Sequence, residues 1–185
     1  MAESLAGKLL VASPVLTDPN FARSVIFMCM HDELSALGLV LNRPLDVAPL
    51  HDLLPQWAAS AGNPAVLFRG GPVEPGSALA LARPQEGVAL PNWTEVTQRT
   101  GLFDLGQDVD AVAPQLGSLR VFTGYAGWAA GQLEGELSQK AWFVVDPMPG
   151  DVFSERPEEL WRDVLRRQGG DLALVALYPE DASLN

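Results

Sequence analysis

The runs Val25-Ile26-Phe27-Met28-Cys29-Met30 and Leu37-Gly38-Leu39-Val40-Leu41 decide how this chain reads. Both are apolar at consecutive positions, whereas a strand with one wet face alternates apolar and polar residues. Such strands are covered on both sides, by helices or by a sheet folded back on itself. Runs of the same character recur at residues 9–12, 65–68, 78–82, 119–122, 142–145 and 172–177, so the sequence predicts many short strands.

Helical periodicity falls between them. Leu50, Leu53, Leu54 and Trp57 follow the i, i+3, i+4, i+7 spacing, with Asp46 as a start signal; Pro55 removes a donor and predicts a kink or break. A second helix is predicted over 154–168, with Ser154 as cap, Pro157 in the first turn and Gly169-Gly170 as the stop. Its buried stripe is Leu160, Trp161, Val164 and Leu165, and its arginines are neutralised by Glu158–Arg162 and Asp163–Arg167 pairs at i, i+4. Shorter helices are expected over 108–116 and 127–138, and 83–97 reads as a loop or irregular hairpin. Helices scattered irregularly among strands favour an α+β domain over a regular βαβ array.

Composition bounds the function. With 185 residues, 48% of them hydrophobic, the chain can bury a core without metals or disulfides, and one domain over 1–185 is expected. The balance of 12 Lys+Arg against 23 Asp+Glu gives a net charge of -11, a field that repels nucleic acid and anionic lipid. The basic residues are scattered singly except near the C-terminus, so direct DNA binding is disfavoured. A single cysteine, an acidic start at Met1-Ala2-Glu3-Ser4 and the absence of a long apolar span point to a cytoplasmic protein without a membrane segment.

Five blocks, in order, carry a resemblance. They are Gly7-Lys8-Leu9-Leu10-Val11-Ala12-Ser13-Pro14 with Asp18-Pro19-Asn20-Phe21 and Arg23-Ser24-Val25; Cys29-Met30-His31; Gly38-Leu39-Val40-Leu41-Asn42-Arg43-Pro44; Gly70-Gly71-Pro72-Val73; and Gly124-Tyr125-Ala126-Gly127-Trp128 running on through Gly131-Gln132-Leu133-Glu134. In these the chain resembles the AlgH/YqgE family. The resemblance implies an α+β fold whose bifurcated β-sheet is folded into a pseudo-barrel with flanking helices. Members are often labelled transcriptional regulators, a name taken from a regulatory phenotype. Since no catalytic constellation is evident, a regulatory or adaptor protein is expected, one that binds a protein partner or a small-molecule ligand and acts on transcription indirectly. No cofactor is expected, and the oligomeric state is left open.

Each candidate site carries two readings. Gly124, Tyr125, Gly127 and Trp128 are expected to follow a strand and open a helix, where free N–H groups could hold an anion; alternatively the glycines only permit close packing. Asn42 and Arg43 end a buried strand and could bind a carboxylate or phosphate, or Asn42 satisfies turn backbone while Arg43 pairs with Asp18 or Asp46. Gly70 and Gly71 with Pro72 form a turn that could line the same cleft or merely be rigid. These residues together define the alternative function, a small-molecule-binding domain or enzyme. Cys29 and His31, two apart on a strand, would share a face and could form a thiolate–imidazole pair, or Cys29 is an inert core thiol. With no oriented third group, no catalytic residue is assigned. Two histidines and one cysteine in no ligand pattern assign no metal site.

Overall fold

The computed structural model describes residues 3–180, so Met1-Ala2 of the acidic start lies outside it. In chain order the elements are β1 (Leu9–Ala12), β2 (Val25–His31), β3 (Ser35–Val40), β4 (Pro44–Pro49), α1 (Leu50–Leu53), α2 (Pro55–Ala58), β5 (Val66–Arg69), β6 (Val73–Pro84), β7 (Trp93–Thr97), β8 (Thr100–Phe103), α3 (Val109–Val112), β9 (Leu116–Ala129), α4 (Gln132–Ser138), β10 (Trp142–Val145), α5 (Leu160–Gln168) and α6 (Gly170–Val175). The fold is α+β: a mostly antiparallel sheet curled into a half-barrel, with short helices around it.

The sheet runs β10-β1-β2-β3-β9-β6-β8-β7 and forks at β9. One edge of β9 pairs with β6, while its other edge is shared: residues 126–129 pair antiparallel with β3, and Phe122 and Thr123 pair parallel with β5. Gly124, in the left-handed region at φ +67, sits between the two partners. It also inverts the faces of the strand. Before it, Phe122 belongs to the central core cluster and Val121 to the cluster under α1 and α2. After it, Tyr125 packs on the central cluster, while Ala126 and Trp128 turn to the cluster under α4.

The doubly apolar strands are covered as expected. Along β2, Val25, Phe27 and Cys29 enter one cluster and Ile26 and Met28 another, all of them buried. Each such side chain contributes about 1.5–3 kcal/mol relative to exposure. The Pro55 break is also present, because α1 ends at Leu53 and α2 restarts with proline in its first turn. Pro49 occupies the cap position there, and Asp46 lies inside β4.

Several expectations are corrected. Residues 172–177 are not a strand: α6 covers most of them, with Leu172, Val175 and Ala176 turned to the core at i, i+3, i+4 and Leu174 and Leu177 exposed. The helix expected over 127–138 begins only at Gln132, because β9 continues to Ala129. Residues 83–97 contain the end of β6 and all of β7, which pairs with β8. The 154–168 segment starts as a 3-10 turn at Pro157–Glu159, and the Ser154 hydroxyl accepts from the Arg156 N–H instead of capping α5. The ion pairs there are Arg156–Glu159 and Arg166–Asp163 at i, i+3, and Arg167 leaves its own helix to make a bidentate pair with Asp151 at 2.6 Å.

Candidate binding site

The glycine blocks meet each other, and they are packed shut. A Cβ on Gly70 would lie 2.3 Å from the Gly124 carbonyl oxygen, one on Gly71 2.1 Å from the Tyr125 carbonyl carbon, and one on Gly124 2.5 Å from the Gly71 oxygen. The Gly70 N–H donates to the Thr123 carbonyl and its own carbonyl accepts from Val40, so Gly70 bridges the two arms of the fork. Gly124, Tyr125, Gly127 and Trp128 lie within β9 and open no helix, which removes the anion site expected at a helix N-terminus. Gly70, Gly71 and Gly124 permit close backbone approach, whereas for a Cβ on Gly127 the nearest atom is in the Tyr125 ring at 3.3 Å.

Trp128 and Trp142 meet edge to face at 6.2 Å, and both indole N–H groups donate to one carboxylate oxygen of Glu136, at 3.0 and 2.8 Å. Buried indoles need such partners. A neighbouring side chain, Glu134, ties α4 to β2 through the His31 Nε2 at 3.0 Å, while the His31 Nδ1 accepts from the Leu5 N–H. Two hydrogen bonds, one from its own backbone and one from His31, hold the Glu134 carboxyl below its ordinary pKa.

Cys29 and His31 do not share a face. The ladder with β3 slips between Met28 and Met30, so Cys29 is the extra residue of a β-bulge. His31 is thereby opposite Ala36, on the α4 side, while Cys29 stays in the central cluster. Burial pushes the Cys29 thiol up to about 12 from 9.0. The unfolded thiol ionises above pH 9 and the folded one does not, so the stability this residue confers is complete below pH 9 and is lost as pH rises towards 12. Urea denaturation at intervals over that range should show wild type losing its stability relative to Cys29→Ala. In the native state at neutral pH the thiol should fail to react with a disulfide reagent until denaturant is added.

Asn42 satisfies backbone: its amide oxygen accepts from the Val25 N–H at 2.9 Å and its amide nitrogen donates to the Arg23 carbonyl at 2.8 Å. Arg43 pairs with neither Asp18 nor Asp46. Its half-buried guanidinium donates to the Ala22 carbonyl, and burial, then the charge of Arg69, pull it below its ordinary pKa. The two arginines are neighbours because β4 and β5 pair Pro44 with Phe68, and the Arg69 N–H donates to the Arg43 carbonyl at 2.8 Å. Arg43, Arg69, Gly71 and Pro72 line a notch of about 30 Å³ together with Pro19 and Asn20. Of the expected cleft, then, Arg43, Gly71 and Pro72 come together. Gly124 lies behind them as backbone, and Trp128 belongs to the α4 cluster.

The sequence reading missed Arg69, since nothing local marks it and only strand pairing places it beside Arg43. It also missed Arg120, which is 2% exposed. The Arg120 guanidinium donates to the carbonyls of Val152 and Asn63 at 3.0 and 2.7 Å and lies 4.3 Å from the Phe68 ring centroid. Burial pulls its pKa down to about 10. Among the described residues no three His, Cys, Asp or Glu side chains converge to hold a metal, and no helix is long and apolar enough to cross a membrane.

Comparison with known proteins gives consistent matches. The AlgH-like family model (DUF179) matches residues 9–173. A UPF0301 protein of Streptomyces coelicolor is 53% identical over 186 residues, covering 98% of this chain and 96% of that protein. A UPF0301 protein of Mycobacteroides abscessus is 44% identical, covering 97% and 88%. Among solved structures, a crystal structure of a Corynebacterium diphtheriae protein superposes with a TM-score of 0.89 at 31% identity, covering 96% of this chain and 94% of that one. The solution structure of the AlgH protein from Pseudomonas aeruginosa superposes at 0.69 with 32% identity, covering 98% and 100%.

Proposed function

The chain belongs to the AlgH-like (UPF0301) family, and from that premise we propose that it is a non-catalytic regulatory or adaptor protein, which binds a protein or a small ligand and reaches transcription only indirectly. The observation that carries this reading is the fate of the one cysteine: Cys29 is sealed in the core, its thiol pushed up to about 12, and His31 is turned to the opposite face of the sheet. A thiol so buried is inert at neutral pH, and an imidazole on the far face cannot activate it. The close backbone contacts of Gly70, Gly71 and Gly124 support a packing role for these glycines.

The charge distribution supports the indirect reading over direct reading of DNA. Arg156, Arg166 and Arg167 of the basic C-terminal segment are engaged by Glu159, Asp163 and Asp151, in a chain of net charge -11. The test is genetic and direct: in a strain deleted for the gene, Cys29→Ala and His31→Gln variants that remain folded should restore the wild-type phenotype. Loss of complementation by either folded variant would overturn the non-catalytic reading. Tight, sequence-dependent DNA binding by fluorescence anisotropy at moderate salt would overturn the indirect one.

A further inference from the structure

Arg43 and Arg69 stand side by side across the β4–β5 ladder, an arrangement of like charges that ordinarily destabilises a sheet. In a chain with 23 acidic residues, carboxylates to relieve it are plentiful, yet among the described residues neither arginine is in an ion pair. Arg43 is pinned by the Ala22 carbonyl, so it cannot swing away from its neighbour. The notch they line, about 30 Å³, is the size of one oxygen-bearing group and no more. Arg43 also borders a neighbouring groove of about 300 Å³ whose lining is mixed in charge, with Glu158, Glu159 and Glu180 beside Arg23, Arg162 and Trp161, so the groove does not itself select an anion. That volume suits a small molecule and is at the lower end of ordinary ligand sites.

We infer that the Arg43–Arg69 notch binds the oxyanion of a small ligand, a phosphate ester or a carboxylic acid. Guanidinium groups recognise such oxyanions through paired N–H donors, and the anion supplies the charge that the two arginines lack. The inference rests on the reading of the protein as a binding protein and names the chemistry it reads.

The test is thermal unfolding with inorganic phosphate, succinate or a hexaglutamate peptide, each against sodium chloride of equal ionic strength. Phosphate or succinate at tens of millimolar should raise the midpoint of wild type by about 2–4 °C; the stronger of the two tells ester from acid. Arg69 is exposed, so Arg69→Gln keeps the fold and should lose most of the shift, as should Arg43→Gln. Arg69→Glu places a carboxylate beside Arg43, and should raise the midpoint without added anion and abolish the response. A shift of equal size in wild type and Arg69→Gln, or none in wild type, overturns the site. A response to hexaglutamate at lower concentration than to either small anion overturns the small-molecule occupant in favour of an acidic protein segment. None of these results bears on complementation by the Cys29 and His31 variants, so failure here and failure of the non-catalytic reading are told apart.

Discussion

Gly71→Ala is expected to remove at least about 4 kcal/mol of stability, enough to leave much of the protein unfolded. The added methyl would meet the Tyr125 carbonyl carbon and oxygen and the Ala126 nitrogen at 2.1, 2.2 and 2.3 Å. All three are backbone atoms of the central strand, so no side chain can rotate to make room, and relief requires the two strands to part at the fork. Urea denaturation checks the size of the loss, and its absence from soluble expression would be the extreme form of the same result. Gly127→Ala is the control. There the nearest atom is Cε2 of the Tyr125 ring at 3.3 Å, the end of a side chain that can shift, and the cost should stay within about 1 kcal/mol.

Arg120→Ala should cost about 3–5 kcal/mol. It leaves the Val152 and Asn63 carbonyls without donors, opens a cavity against Phe68 and removes a cation from the ring face. Arg120→Met should cost less than half as much, because it fills the space and removes a buried charge that no carboxylate pairs within the described residues. The pH dependence has a definite sign. A cation whose folded pKa is lowered to about 10 opposes folding below that pH, and the penalty is relieved as pH rises above about 10. Denaturation at intervals across that range should show wild type gaining on Arg120→Met, measured in a Cys29→Ala background to remove the opposing trend of the thiol.

What could be read without coordinates was whatever is written locally. The consecutive apolar residues 25–30 announced a strand buried on both faces, and Pro55 announced the break between two short helices. What could not be read depends on partners distant in the chain. The bulge at Cys29 exists only relative to β3, so two residues with the spacing of a shared face end on opposite ones. Residues 172–177 are apolar enough for a strand, and only the burial of Leu172, Val175 and Ala176 on one side shows the helical period. The strand β4, bounded by prolines and half exposed, lacks the apolar signal altogether. Of the arginine notch, Arg43 was legible because it closes a buried strand where the chain turns. Arg69 was not, since its meaning comes from the Pro44–Phe68 pairing.

One strand of 14 residues passes through all three hydrophobic clusters, contributing Leu119 and Val121 to one, Phe122 to another and Trp128 to the third. Insertion or deletion of a single residue anywhere along it would exchange inward and outward side chains for everything beyond the lesion. The same strand ties the fates of the three clusters together, so neither arm of the fork can be excised and expected to stand alone. The central strand must therefore keep its residue count even where its side chains change.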